Sequence, residues 1–132
     1  MDGFESSAWP RFVRFTAFTR DWERLGLDEA ALRSLETEIL KDPGRSPMIP
    51  GTGGLRKIRF AEPRSGRGKR GAYWVCHANF PEFGPVALAA VFGKNERADL
   101  TKADRDAIAT IIRAYRAELE REIGRQEPEG GR

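Results

Sequence analysis

Apolar and polar positions alternate with two different periods along this chain. In residues 11–18, RFVRFTAF, the set Phe12, Arg14, Thr16 and Phe18 alternates with Arg11, Val13, Phe15 and Ala17. Aromatic and β-branched residues on both sides predict a strand covered at least in part on each face. Thr19 or Asp21 can cap a short helix over 22–25, stopped at Gly26. Asp28 opens a second helix, DEAALRSLETEILK, with Ala31, Leu32, Leu35, Ile39 and Leu40 at helical spacing, and Pro43 and Gly44 end it. A turn-rich connector, 42–54, leads to a strand over 55–60 (LRKIRF), a basic loop over 61–69 and a third strand over 71–79 (GAYWVCHAN). After a tight turn at 81–85, VALAAVF (86–92) is a nearly unbroken apolar run of strand length, which predicts the central strand. Beyond the connector 93–100, Thr-Lys-Ala-Asp at 101–104 is a capping pattern for a last helix with the apolar stripe Ile108, Ile111, Ile112, Tyr115 and Leu119.

The predicted order is β-α-α-β-β-β-α. It implies an α+β single domain: a mainly antiparallel four-stranded sheet, two helices on its N-terminal side of the sequence and one C-terminal helix, all packed on one face. Residues 1–10 read as a flexible lead-in, 11–123 as the domain and 124–132 as a disordered tail. A chain of 132 residues supports one core and not two. No apolar run approaches the roughly 20 residues that span a bilayer, and the acidic N-terminus has no signal-peptide pattern. With one cysteine, Cys76, and one histidine, His77, an internal disulfide framework, a multi-cysteine metal site and a two-histidine ribonuclease mechanism are all excluded. Neither metal nor cofactor is expected, and the composition reads as cytoplasmic.

Charge sharpens the picture. Residues 55–70 carry Arg56, Lys57, Arg59, Arg64, Arg67, Lys69 and Arg70 against Glu62 alone, a local charge of +6 in a chain whose net charge is +3. The basic character is one patch on a mildly acidic body, which points to a polyanion partner, since each neutralised phosphate releases counterions. Strand alternation puts Lys57 and Arg59 on the face of Leu55, with Arg56, Ile58 and Phe60 opposite. Cations fixed on a rigid strand can form a site, whereas cations on a loop form a diffuse halo. Gly66, Gly68 and Gly71 match a dinucleotide fingerprint in letters only, because a strand rather than a helix follows them. The glycines of 51–54 serve a turn needing positive φ. His77 reads as structural, and Cys76 as a small buried group, because adjacent strand residues face opposite sides and His77 cannot activate it. Trp74 is either core or a surface on which a nucleobase stacks.

Three segments in order, IPGTGGLRKIRF, GKRGAYWV and VFGKNERADLT, give the chain a resemblance to the RelE/HigB branch of bacterial type II toxins, in the RelE/ParE superfamily, over roughly residues 11–115. The resemblance implies a RelE-like fold and ribosome-dependent, metal-independent mRNA cleavage that inhibits translation. It also implies restraint by a cognate antitoxin, expected to be a helix-turn-helix protein, with operator DNA reached only through that antitoxin and no membrane partner. It assigns Lys57, Arg59 and Lys94 to the catalytic site, and Arg56, Arg64, Arg67, Lys69, Arg70, Trp74, Asn95 and Glu96 to RNA binding. The family commonly has an arginine where this chain has Trp74. A catalytically silent RelE-fold protein that binds antitoxin or RNA is therefore the alternative. A gyrase-poisoning relative of the ParE type usually lacks the paired basic strand residues present here.

Overall fold

The computed structural model describes residues 11–62 and 72–126. They form β1 (Phe12–Arg14), α1 (Thr16–Arg24), α2 (Glu29–Lys41), β2 (Leu55–Ala61), β3 (Ala72–Asn79), β4 (Val86–Gly93) and α3 (Lys102–Gln126). The element order is the one the sequence predicts. The sheet runs β1-β4-β3-β2, with β2–β3 and β3–β4 antiparallel and β1 parallel to β4, so it is mixed and mainly antiparallel.

The first strand is shorter than the alternation of residues 11–18 predicts. Pairing with β4 persists to the Phe15 N–H, which donates to the Leu88 carbonyl at 3.0 Å, and α1 then begins at Thr16. Phe18 and Trp22, four residues apart, are the buried face of that helix. An aromatic-rich sequence carried strand propensity into the first turn of a helix, where burial decides the outcome. At its far end the Gly26 N–H bonds to Glu23 and the Leu27 N–H to Trp22, with Gly26 at φ 76°, a Schellman closure that a side chain there would strain. Asp28 caps α2 as expected, accepting from the Ala31 N–H at 2.9 Å. At α3 the box is reciprocal: Asp104 N–H to Thr101 Oγ1 at 3.0 Å, and Thr101 N–H to the Asp104 carboxylate at 3.1 Å. This helix runs through Gly124, where the tail was expected to start, because one glycine costs a helix only about 1 kcal/mol.

The helices do not share one face of the sheet, as the sequence reading had it. Phe18, Trp22, Leu32, Leu35 and Ile39 of α1 and α2 pack with Ile58, Phe60, Val75, Leu88 and Val91. Ile112 and Leu119 of α3 pack on the opposite side, with Leu55, Cys76, Ala78, Ala87, Ala89 and Phe92. A sheet whose inner strands are apolar on both faces needs both covered, which the unbroken VALAAVF run already signalled. The register between β3 and β4 slips between Cys76 and His77, which pair with Ala90 and Leu88 and leave Ala89 as a bulge. The extra residue reverses the alternation, so Val91 joins Leu88 on one face and Phe92 joins Ala89 on the other.

Candidate functional site

Among the described residues β2 is an end strand of the sheet and β3 its one ladder neighbour, with Lys57 opposite Cys76 and Arg59 opposite Trp74. The shared face of Lys57 and Arg59 was predicted; the register adds Trp74 and Cys76 of β3 to it. Lys57 Nζ lies 4.4 Å from the centroid of the Trp74 ring, a cation held over the negative face of an indole. It is also 3.2 Å from Asp99 Oδ1 and 3.3 Å from the Ala98 carbonyl, and its side chain keeps 22% of its surface exposed. The result is a cation sandwiched between an aromatic face and a carboxylate at the rim of the sheet.

The loop between β4 and α3 supplies that carboxylate and is itself anchored. Glu96 accepts from the Gly93 N–H at 2.9 Å, and Arg24 of α1 grips it through Nη1 to Oε2 at 2.7 Å and Nη2 to Oε1 at 3.4 Å. The Arg24 hydrogen bond first, and the Gly93 N–H second, hold the Glu96 carboxyl below its ordinary value. Arg97 stands 4.9 Å over the Phe92 ring and pairs with Asp104 at 2.7 Å. Asp99 accepts from the Leu100 N–H at 2.8 Å, and that bond, with Lys57 adding to it, keeps its carboxyl low and charged. Lys94 and Asn95 are exposed on the same loop.

Under Lys57 the Cys76 thiol is fully buried, and burial pushes it up to about 12, so it carries no thiolate at neutral pH. His77, on the other face, is 1% exposed and burial lowers it to about 4. Its Nδ1 lies 2.9 Å from Asn79 Oδ1, and the Asn79 amide donates to the Pro43 carbonyl at 2.8 Å. With the amide oriented by Pro43, Nδ1 is the donor, and the ring is a neutral pin for the connector 42–46. Arg56, assigned to RNA, pins the same connector: its Nη1 donates to the carbonyls of Ser46 and, at 3.4 Å, of Gly44.

The structure thus brings Lys57, Trp74 and the 94–99 loop together. It engages Arg56 and Glu96 in holding two loops, and leaves Arg59 and Lys94 exposed. Arg64, Arg67, Lys69 and Arg70 lie outside the described residues. Asp99, Arg97 and Arg24 were missed by sequence reasoning. The contacts of Asp99 with Lys57 and of Arg24 with Glu96 link segments far apart in the chain, which no local spacing reveals.

No protein-family model matches the chain. Solved structures that resemble it include two of a bacterial toxin. One is an arginine-to-alanine double mutant of the Escherichia coli toxin RelE in the free state, at 16% identity over 67% of this chain and 86% of that one, with a TM-score of 0.47. The other is the isolated E. coli RelE toxin, at 17% identity over 77% of this chain and 98% of that one, with a TM-score of 0.45. Likenesses of this order decide neither family nor activity, and the functional reading rests on the chain's own residues.

Proposed function

We propose that this protein is the toxin of a type II toxin-antitoxin system, a metal-independent endoribonuclease that cuts mRNA engaged on the ribosome. The observation that carries the reading is Lys57: a cation on a rigid strand, over an indole face, at the open rim of the sheet. In RNA cleavage the 2′-hydroxyl gives up its proton to water as its oxygen bonds the adjacent phosphorus in line. The P–O5′ bond breaks, with the departing 5′-oxygen taking a proton from water, which leaves a 2′,3′-cyclic phosphate. The protein's contribution is to stabilise the charge that builds on the phosphoryl oxygens. Lys57 supplies that stabilisation once a phosphate has displaced Asp99, while Trp74 stacks on a neighbouring base. Arg59 and Lys94, exposed to either side, hold flanking phosphates, with Asn95 beside them. Glu96 positions the loop through Arg24. His77 and Cys76 are too buried to transfer protons to the substrate, so alignment by the ribosome contributes the remainder through proximity and orientation. A cognate antitoxin restrains the activity.

One observation favours the second reading, a silent member that binds without cutting. The candidate catalytic cation is already paired with Asp99, and an indole stands where the family has an arginine. Single-turnover cleavage of a labelled mRNA, with and without programmed ribosomes, separates the two. Cutting on ribosomes alone is the expected result. Equal cutting of naked RNA refutes ribosome dependence, and RNA binding with no cutting in either setting establishes the silent reading.

A further inference from the structure

A second cationic feature lies along the same edge strand and belongs to none of the residues assigned above except Arg59. Arg33, Ser34, Thr37 and Glu38 of α2, Arg45 of the connector, and Arg59, Phe60 and Ala61 of β2 line an open hollow of about 580 Å³. The lining holds three arginines, Arg33, Arg45 and Arg59, and one acid, Glu38, whose carboxylate is held by Lys41 Nζ at 3.1 Å, while Glu36 on α2 feels the charge of Arg33 from outside the hollow. Among the described residues none of the three arginines is in an ion pair. Unpaired guanidiniums gathered in a hollow repel one another unless an anion joins them, and their forked donors match phosphate oxygens.

The hollow is built rather than accidental. Arg45 sits on a loop, where a cation ordinarily contributes only a halo. Here the loop is fastened on both sides of it. Arg56 holds the Gly44 and Ser46 carbonyls, the Asn79 amide holds Pro43 at 2.8 Å, and the Arg45 N–H closes on Asp42 at 3.0 Å. The buried His77 orients Asn79 in turn. Arg33 is fixed by the helix that Leu32 and Leu35 seat in the core. Beyond the Met48–Arg56 bridge, no strand among the described residues covers the outer side of β2. The rim at Lys57 and the hollow at Phe60–Ala61 are three to four residues apart along β2, about 10–13 Å, and on opposite faces of the sheet, so a strand that meets both wraps around the β2 edge past Arg59.

We infer that the Arg33–Arg45–Arg59 hollow binds the phosphodiester backbone of single-stranded RNA, holding the strand that passes over Lys57 and Trp74. The inference rests on the proposed function for its ligand but concerns residues outside that site. An acidic protein segment is the competing occupant.

The test is fluorescence anisotropy of a labelled single-stranded 12-mer RNA, titrated over a range of salt. It compares the full chain with Arg33→Gln/Arg45→Gln, with Lys57→Ala, and with Arg113→Gln/Arg121→Gln, which removes the same charge from the exposed side of α3. Thermal melts confirm that each variant folds. The expected result is a roughly tenfold loss of affinity for the Arg33/Arg45 pair, with the salt slope reduced by about 1.4 and the melt unchanged. The α3 pair should change far less. An equal loss in both pairs shows a charge halo and overturns the site. So does unchanged affinity in the Arg33/Arg45 pair while Lys57→Ala weakens binding, an outcome that leaves the functional reading standing. Loss of binding to a polyglutamate peptide, with RNA affinity retained, assigns the hollow to a protein and overturns the RNA claim. A wild-type chain that binds no RNA overturns the hollow as an RNA site, and cleavage on programmed ribosomes then decides the functional reading separately.

Discussion

The two faces of the sheet are built from the same strands to different ends. On the face under α1 and α2, the strands present Ile58, Phe60, Val75, Leu88 and Val91, and the helices answer with Phe18, Trp22, Leu35 and Ile39. On the other face the inner strands carry Cys76, Ala78, Ala87 and Ala89, small groups that let α3 lie close through Ile112 and Leu119. Its cover ends at the rim, where Lys57 and Trp74 stand beside the 94–99 loop. Both faces hold packed core, and the candidate chemistry lies on the uncovered rim of the face under α3. Substitutions in that core and on that rim should therefore separate unfolding from inactivation.

The largest effects draw that contrast directly. Phe18, fully buried and stacked on Trp22 with ring centroids 5.3 Å apart, should lose about 3–5 kcal/mol on change to alanine, read as a lower urea midpoint. Lys57→Ala should cost stability under about 1 kcal/mol, because its partner Asp99 is largely exposed, yet slow single-turnover cleavage by about 10²–10³-fold. A Lys57→Ala protein that unfolds would make that lysine part of the packing and erase the contrast.

The packed face also hides a titrating group. His77 titrates near 6.5 in the unfolded chain and near 4 when buried, so the unfolded state takes up its proton first as pH falls. Its contribution to stability is complete above about 6.5 and is lost progressively down to about 4, amounting to about 3 kcal/mol by linkage. Urea midpoints measured across that window should fall in the wild type. Between about 6.5 and 5, above the range where carboxylates begin to titrate, they should be nearly flat in His77→Gln, which starts less stable at neutral pH. A wild-type profile as flat as the variant's would place a charged or solvated histidine in the core.

Most of the frame was legible in the sequence because periodicity reports burial. The element order, the caps at Asp28 and Thr101 and the shared face of Lys57 and Arg59 follow from spacings of two and three to four. The cap expected at Thr19 or Asp21 does not form, because the helix already begins at Thr16. The end of β1 was misread because Phe15 and Phe18 fit both periods over so short a run. The sharing of helices between two faces was misread although VALAAVF required it, since a strand apolar on every residue cannot leave one face to solvent. What no spacing carries is the pairing of side chains from distant segments: Asp99 with Lys57, Arg24 with Glu96, Arg56 with the carbonyls around Arg45. Those contacts turn a basic stretch into one paired lysine, one structural arginine and one exposed arginine.

On the rim, Trp74 is half-buried and its ring already carries Lys57. If it stacks on a base, Trp74→Ala should weaken RNA binding by about 1–3 kcal/mol while the melt moves little. Trp74→Arg should speed cleavage, because a second positive charge then faces the phosphate. A destabilised, inactive Trp74→Arg protein would return the indole to the packed side of the comparison.

The smallest effect tests whether Asp99 guards the rim. Its carboxylate is 60% exposed and 3.2 Å from Lys57 Nζ, and pairs so exposed are worth about 1 kcal/mol or less. A phosphate reaching Lys57 must displace it, so Asp99→Asn should tighten RNA binding by up to about fivefold at low salt. The gain should fade as salt screens the site. The asparagine oxygen can still accept from the Leu100 N–H, so the loop should keep its place. Acid cannot substitute for the mutation, because Leu100 and Lys57 keep the Asp99 carboxyl charged to below its ordinary range. Anisotropy and single-turnover cleavage, read together, divide the outcomes. Tighter binding with undiminished cleavage makes Asp99 a counter-ion that substrate pushes aside. Tighter binding with slower cleavage makes it a participant that must remain near the phosphate, and unchanged affinity at low salt shows that RNA never meets Lys57.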